Sequence, residues 1–373
     1  MDVYEDDPSR SGVAPFISVV VPVHDGAAHL ARCLDALLAS RHARFEVVVV
    51  DDASSDASAP IAISRGARVV QLATQAGPAA ARNLGASAAR GDLLLFVDAD
   101  VEVRRDTLAR VAACFCSQES VAAVFGSYDD APAERNFASQ FKNLFHHFTH
   151  QRSSRRASTF WAGCGAVRRE AFASVGGFDA RRYTRPSVED IELGYRLRRA
   201  GLEIALERDL QVKHLKRWTL ATTLRADIRD RAAPWSRLII EEGRMVNELN
   251  LRVADRVSAS LVCLATLALA ISIVARVLQG MPTAPFVVAS LALVAVVVAL
   301  NFPLYRFFFR LRGARFAAAS CAMHLLYFLY SAATFAACRV AHGWRTRGAL
   351  HKGTAARESF APTRLVGESL TDD

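Results

Sequence analysis

Several features are missing from this 373-residue chain. Met1–Gly12 is acidic and polar, without the apolar segment of a cleavable signal peptide, so we expect the N-terminal half to stay in the cytoplasm. The seven cysteines are odd in number and scattered, which excludes the paired spacing of a zinc site and predicts reduced, mostly buried thiols. The formal net charge is +9, but no nucleic-acid-binding motif is present. We therefore expect no nucleic-acid partner, and attribute the basic excess to a membrane surface.

Hydrophobic residues make up 52% of the chain and charged residues 22%, and the two properties occupy different regions. Long apolar runs are confined to Val257–His342, whereas the first 250 residues are an ordinary mixture. The chain is long enough for one sizeable domain with an appendage. We expect five parts: a disordered acidic tail (1–14), a globular domain (15–218), amphipathic interface helices (219–256), membrane helices (257–341) and a polar tail (342–373).

Alternating strands and helices are predicted over the first hundred residues. Continuous, largely β-branched runs that suit strands buried on both faces lie at 16–23 and 45–50. Further strands are predicted at 67–72 and 92–97, and helices at 27–39 and 77–90. Four strands joined by helical crossovers predict a doubly wound, mostly parallel α/β sheet. Ligands of such open sheets bind beyond the carboxyl ends of the strands.

Acidic residues follow three of these strands. Asp25 follows the first strand, Asp51 and Asp52 the second, and Asp98 and Asp100 the fourth. Turn-forming residues are common at strand ends, so each motif alone has a structural explanation, and only their joint position indicates a site. Two carboxylates at this spacing can share a hard cation that also takes oxygens from a diphosphate, which predicts Mn²⁺ or Mg²⁺ at Asp98 and Asp100.

Two further groups are expected at the same edge. A carboxylate after the second strand is placed to accept hydrogen bonds from a nucleobase or ribose. The helix at 77–90 begins nearby, and a helix N-terminus favours an anion. Arg82 in this helix either faces the same edge or forms a surface salt bridge, and the sequence leaves both open.

Four segments together resemble the family 2 glycosyltransferases with the GT-A fold: 17–25 (ISVVVPVHD), 49–56 (VVDDASSD), 81–92 (ARNLGASAARGD) and 96–100 (FVDAD). The resemblance covers roughly the first 220 residues. It implies an inverting transferase that uses a nucleoside diphosphate sugar, often a uridine one. It also implies a donor and metal site in which Asp52 contacts the base, Asp98 the ribose or metal, and Asp100 the metal, with Pro22, Val23 and Arg82 also at the donor.

The segment 160–169 (FWAGCGAVRR) resembles the acceptor side of the same family. The resemblance implies that Trp161, Gly163 and Cys164 border the acceptor, where small residues let a sugar approach the backbone. A tight turn into a core strand would explain the glycines equally well.

A helix is predicted from the segment 187–196 (SVEDIELGYR). Ser187 with Asp190 is a capping-box pattern, and an acid in a first turn also complements the helix dipole. In the family, the Asp of a Glu-Asp pair at this place is the general base. The resemblance therefore implies that Asp190 takes the proton from the acceptor hydroxyl, with Glu189 beside it on the acceptor side.

The segment 214–218 (HLKRW) resembles the Gln-x-x-Arg-Trp motif of processive family members, with His in place of Gln. This departure argues against polymer synthesis. His214 is expected either to complete the metal site or to be structural, and Arg217 to grip the diphosphate. Trp218 would stack on an acceptor sugar or anchor at the membrane interface.

Three apolar runs, Val257–Leu278, Pro285–Leu304 and Phe316–Val340, are each long enough to cross a bilayer. Between the last two runs we expect a basic cytoplasmic loop that contains Arg306, Arg310, Arg312 and Arg315. The third run is either a crossing that exports a basic tail or a re-entrant segment, and we favour three crossings.

These observations predict a membrane-bound enzyme that transfers single sugars onto a lipid-linked or saccharide acceptor at the cytoplasmic face, in contact with membrane lipid. The alternatives are a processive polysaccharide synthase and a non-catalytic nucleotide-sugar sensor.

Overall fold

Four parallel strands form one half of the central sheet in the computed structural model, which describes residues 14–280 and 282–358. They are β1 (Ile17–Val23), β2 (Phe45–Asp51), β3 (Arg68–Gln71) and β4 (Leu93–Val97), in the order β3-β2-β1-β4, with α1 (Ala27–Leu38), α2 (Ser58–Ser64) and α3 (Pro78–Ala88) as crossovers. The predicted doubly wound α/β sheet is confirmed.

The rest of the sheet is mostly antiparallel. Its remaining strands are β5 (Val101–Glu102), β6 (Val121–Tyr128), β7 (Arg156–Ala157), β8 (Cys164–Arg168) and β9 (Glu203–His214). The order continues β4-β8-β6-β9-β5, with β7 also on β9, and β6 and β9 pair in parallel. Around it lie α4 (Thr107–Ser117), α5 (Phe137–Arg152), α6 (Arg169–Ser174) and α7 (Glu189–Arg199). Because β8 is antiparallel to β4 and β5 is antiparallel to β9, late segments of the chain lie beside the end of β4.

The helix α3 packs closely against the sheet. A Cβ atom on Gly85 would lie 2.3 Å from Val20 Cγ1 and 2.9 Å from Val50 Cγ2, so only glycine permits this approach. Val20, Val50 and Phe96 are fully buried, as expected for strands covered on both faces. Because α3 follows the parallel strand β3, its N-terminus lies at the carboxyl edge of the sheet.

The segment after the sheet is helical, as predicted. It contains α8 (Leu220–Arg225), a π-helical segment (Ala226–Ala232) and α9 (Ala233–Glu242), which ends at Gly243 with a φ of 62°. Leu238 of α9 is buried in the core of the α/β domain, so this segment packs onto that domain.

Three apolar helices follow: α10 (Val253–Gln279), α11 (Ala284–Leu300) and α12 (Phe302–Glu358). Among the described residues, two helical stretches, Val253–Leu278 and Phe302–Thr346, are long and apolar enough to cross a membrane. α11 has 17 residues, at the short end of what can span a hydrocarbon core. The number of crossings stays a prediction.

The prediction of a basic loop between the second and third apolar runs is wrong. Its four arginines lie within α12, which bends at Gly313, where φ is 81°. Packing explains the difference, because Phe308 and Met323 on the two sides of the bend share a buried cluster with Phe141 of α5. Arg312 is also held in place, because its Nε donates a hydrogen bond to Gln140 Oε1 at 2.7 Å.

The predicted tails are only partly visible. α12 continues through Glu358, so no helix end marks the expected boundary at residue 341. Residues 1–13 and 359–373 lie outside the described residues, so nearly all of the first tail and the last part of the second are not described. None of the seven cysteines, all within the described part, forms a disulfide; Cys33 and Cys164 are buried and Cys116 is exposed.

Candidate active site

The carboxyl ends of β1, β2 and β4 lie side by side, as the sequence predicted. Val23 pairs with Asp51, and the amide of Asp52 donates to the carbonyl of Val23 at 2.8 Å. Val23 itself is buried in the core, whereas Pro22 is partly exposed. The contact of these two residues with a donor stays a prediction.

Asp52 holds the turn that leads into α3. Its two carboxylate oxygens accept hydrogen bonds from the amides of Ala76 and Gly77 at 2.7 and 2.8 Å. Gly77 has a φ of 88°, and a Cβ atom there would lie 2.4 Å from the carbonyl oxygen of Thr184. Asp52 therefore shapes this end of the site, and its contact with a base stays a prediction.

Arg82 is a buried cation shared by two carboxylates. Nη2 donates to Asp98 Oδ1 and Nη1 donates to Glu189 Oε1, both at 2.8 Å. The residue is 5% exposed, which excludes a surface salt bridge. Burial opposes its charge, but Asp98 and Glu189 more than compensate and raise the pKa of Arg82. Both terminal nitrogens are thus engaged by the protein itself.

The predicted metal ligands lie in one region without forming a closed set. Pairing of β5 with β9 brings His214 Nε2 to 3.6 Å from Asp100 Oδ2, and Tyr128 stacks on the His214 ring at 4.4 Å. Although burial acts to raise it, the hydrogen bond and charge of His214 hold the pKa of Asp100 below its ordinary value. Asp98 instead faces Arg82. Among the described residues, no three side chains are arranged as metal ligands.

Asp190 lies in the first turn of α7. Its Oδ2 accepts from the amide of Ala162 at 3.2 Å and its Oδ1 from the amide of Ile191 at 2.8 Å. The capping-box alternative is not realised, because the Ser187 amide donates to Glu189 instead. Burial, followed by the charge of Glu189, raises the pKa of Asp190 to about 6. A carboxyl with that pKa suits a general base near neutral pH.

The acceptor-side segment packs tightly beside Asp98. Cys164 pairs with Val97 across β4 and β8, and the amide of Asp98 donates to the carbonyl of Gly163 at 3.3 Å. A Cβ atom on Gly163 would lie 2.4 Å from the Trp161 ring, so this glycine makes room for the tryptophan. Trp161 and Cys164 are buried, which favours packing over acceptor contact for their side chains.

Glu189 also differs from its expected place on the acceptor side. It is buried, and its two oxygens are taken by Arg82 and by the Ser187 amide. This placement favours a role for Glu189 in holding Arg82 and the start of α7 in position, next to Asp190.

The two residues expected at the end of the domain differ in environment. The Arg217 side chain is 72% exposed and lies 4.0 Å from Glu134, so it is free to turn toward a ligand. The ammonium groups of Lys142 and Lys216 lie 4.4 and 4.7 Å from the centre of the Trp218 ring. Stacking of Trp218 on an acceptor sugar and binding of the diphosphate by Arg217 both stay predictions.

Aromatic side chains form a wall next to His214 and Asp100 that was not predicted from the sequence. Tyr128 touches His146 at 4.5 Å and Trp161 at 4.9 Å, and His146 stacks on His150 at 3.8 Å between ring centroids. A signal was present, because three histidines fall within five residues of α5 and Tyr128 ends a strand. This wall fixes the His214 ring in place.

Residues 18–176 match the family model described as Glycosyl transferase family 2. A pre-mycofactocin glycosyltransferase of Mycobacterium tuberculosis is 30% identical over 209 residues, which are 53% of this chain and 42% of that protein. The succinoglycan biosynthesis protein ExoO of Rhizobium meliloti is 34% identical over 108 residues, which are 28% of this chain and 31% of that protein. The chain thus spans less than half the length of these two relatives.

A solved structure supports the fold. The mannosyltransferase PcManGT from Pyrobaculum calidifontis, in complex with GDP-Man and Mn²⁺, superposes with a TM-score of 0.54 at 18% identity, over 87% of each chain. At that identity the likeness bears on the fold alone. Together with the sheet and its acidic edge, these matches show that the chain carries a family 2 glycosyltransferase domain with the GT-A fold.

Proposed function

We propose that this chain transfers a sugar, with inversion, from a nucleoside diphosphate donor to a membrane-associated acceptor. The observation that carries the proposal is the position of Asp190 at the start of α7, connected through Glu189 and Arg82 to Asp98 at the edge of the sheet. One chain of contacts thereby links a candidate base to a candidate donor site.

The residues at this edge fit a divalent cation. Side chains of Asp98 and Asp100 are 33% and 23% exposed, and Arg82 engages only Oδ1 of Asp98. Two carboxylates and an imidazole form a donor set that Mn²⁺ accepts, and the oxygens alone suit Mg²⁺. When bound, such a cation would neutralise charge on the diphosphate leaving group.

Asp190 supplies the proton chemistry of the proposal. The acceptor hydroxyl gives its proton to the ionised carboxylate while its oxygen attacks the anomeric carbon, and the nucleoside diphosphate leaves from the opposite face. The Ala162 amide fixes Oδ2 in one orientation. Single displacement by one base gives inversion, as the family resemblance implies.

The apolar helices support a membrane-associated acceptor. Large apolar side chains are exposed along α10, among them Leu267, Ile273 and Val277. A bilayer would cover them, whereas water would leave a patch that soluble monomers rarely expose. The similarity to a succinoglycan biosynthesis protein favours a role in envelope glycan or glycolipid synthesis.

The test is donor turnover by the full chain in membranes or detergent, with UDP, GDP and dTDP sugars, Mn²⁺ or Mg²⁺ and lipid extracts. We expect metal-dependent release of nucleoside diphosphate by the wild type, most readily from a UDP sugar. Asp190→Asn should bind donor without turnover, and Asp100→Ala should lose both. Asp106→Asn, a change at an exposed acid, is the control. Donor binding without turnover across the whole panel would support a sensor, and long products retained by the enzyme would support a processive synthase.

A further inference from the structure

The bend in α12 separates its first part, residues 302–312, from the longer apolar part of the helix. At Gly313 the backbone has a φ of 81° and leaves the helical conformation. A helix of about 11 residues measures about 16 Å, roughly half the thickness of a hydrocarbon core. The 302–312 helix is therefore too short to cross a bilayer by itself.

One face of the 302–312 helix packs against α5 of the catalytic domain. The ring centroid of Phe308 lies 5.9 Å from that of Phe141, and the centroid of Phe307 lies 5.3 Å from that of Phe148. Leu304, one helical turn before Phe308, is 3% exposed and belongs to the same cluster. This face of the helix is thus covered by the protein itself.

The opposite face of the 302–312 helix carries exposed phenylalanine and arginine side chains. Phe302 and Phe309 are 56% and 57% exposed, and Arg306 and Arg310 are exposed as well. Residues three or four positions apart lie on the same side of a helix, so these four side chains share one face. Water would leave both phenylalanine rings uncovered, and hydrocarbon would not solvate the two charges. The face therefore suits a boundary between the two.

The 302–312 helix begins at the end of the apolar hairpin that lies nearer to the catalytic domain. The helix α10 leaves that domain at Val253, and α11 returns and ends at Leu300. Asn301 Nδ2 donates a hydrogen bond to Ser258 Oγ at 2.9 Å, so the end of α11 lies beside the first turns of α10. The exposed face is therefore at the level where a hairpin inserted in a bilayer would emerge from it.

We propose, on the basis of the membrane association in the proposed function, that this exposed face binds the headgroups of anionic phospholipids. Arginines at the membrane surface are attracted to a negatively charged leaflet, and the planar guanidinium matches phosphate oxygens. The two phenylalanine rings enter the boundary between headgroups and acyl chains, as apolar side chains do on helices that lie in the interface. Because the other face packs on α5, this contact holds the catalytic domain on the lipid surface.

Titration of dioleoylphosphatidylglycerol into the full chain in a neutral detergent, followed by native mass spectrometry, tests this surface. Dioleoylphosphatidylcholine is the matched lipid without net charge, and glycerol phosphate is the headgroup without acyl chains. The double variant Arg306→Gln with Arg310→Gln removes both charges, and Arg306→Lys with Arg310→Lys keeps them. The matched control is Arg104→Gln with Arg105→Gln, at two exposed arginines of the α/β domain.

We expect the wild type to bind phosphatidylglycerol more tightly than phosphatidylcholine. Loss of both charges should weaken phosphatidylglycerol binding about 30-fold, because each arginine near an anionic surface contributes roughly a factor of five. The lysine variant and the control should stay within about threefold of wild type. Binding of phosphatidylcholine should be the same in all variants, which shows that each of them is folded.

Three results would overturn the assignment: equal affinity of the wild type for the two lipids, unchanged phosphatidylglycerol affinity in the double glutamine variant, or equally tight binding of glycerol phosphate. A dimer that only the double glutamine variant loses would also overturn it, because the face would then join two copies of the chain. Recovery of the same variants in carbonate-washed membranes reports separately on membrane insertion, and donor turnover reports separately on sugar transfer.

Discussion

Arg82 and Glu189 form a buried ion pair, with 2.8 Å between Nη1 and Oε1, although 107 residues separate them in the sequence. The same guanidinium reaches Asp98. Through this pair, the strand that ends at the candidate donor site is joined to the helix that begins with the candidate base.

Replacing Arg82 by Met should destabilise the domain. The change leaves Glu189 and Asp98 without their cation, and removing one partner of a buried pair typically costs about 3–5 kcal/mol. Chemical unfolding of the full chain in detergent measures the loss. Arg110→Met is the control, because its pair with Asp106 is exposed and should contribute less than about 1 kcal/mol. Equal losses in the two variants would contradict the central role of Arg82.

Transfer should lose activity in acid. The general base must be ionised, and burial raises the pKa of Asp190 to about 6. We expect kcat/KM to fall about tenfold per pH unit below that value. Asp190→Asn should lower kcat by about 10²–10⁴-fold. An acid limb that persists unchanged in the residual activity of Asp190→Asn would assign the titration to another group.

The pH dependence of stability should also reveal the raised pKa of Asp190, in a measurement that needs no turnover. The folded-state pKa of Asp190 is raised from 3.8 to about 6, so the folded protein binds this proton more tightly than the unfolded chain does. The contribution of this tighter proton binding to the free energy of unfolding is present in acid and is lost as the pH rises toward about 6. Asp190→Asn should therefore gain free energy of unfolding relative to wild type between pH 4 and 6, with a constant difference above. A difference that is the same at pH 4 and pH 8 would contradict the raised pKa.

His214→Ala should weaken metal binding. His214 Nε2 lies 3.6 Å from Asp100 Oδ2, so it either ligates the cation or orients that carboxylate. Losing such a partner typically costs about 10–100-fold in metal affinity. Titration of Mn²⁺ by electron paramagnetic resonance checks this directly. His42→Ala, at a buried histidine that contacts the Pro15 carbonyl, is the control. An unchanged Mn²⁺ affinity in His214→Ala would make His214 structural.

A single charge can test membrane insertion of α10. Ile273 of α10 and Ile63 of α2 are each 64% exposed, so neither position is packed inside the protein. Arginine near a bilayer centre costs about 2.5–3.5 kcal/mol on insertion scales, whereas an exposed helix in water tolerates it. Ile273→Arg should reduce recovery in carbonate-washed membranes, and Ile63→Arg should not. Equal recovery of both variants would argue against insertion of this helix.

Local sequence patterns were sufficient to predict the strands of the first half of the sheet. The sequence predicted four strands within about two residues of their observed ends, and for β1, β2 and β4 the reason is that a strand covered on both faces needs apolar side chains along its length. The same reasoning placed Asp52 and Asp98 at one edge, since parallel strands end together. It failed at the four arginines of α12, where contacts with α5 keep a helix in place of the expected loop.

The parallel half of the sheet and the acidic residues at its edge could be predicted from hydrophobic period and short motifs, and four of those motifs carry the resemblance to the family. The direction in which each carboxylate points depends on the packing of the folded chain. Asp52 turns to the amides before α3, Asp98 to Arg82 and Asp100 to His214. Those partners come from antiparallel strand pairing and helix packing between distant segments, which no local pattern of residues encodes.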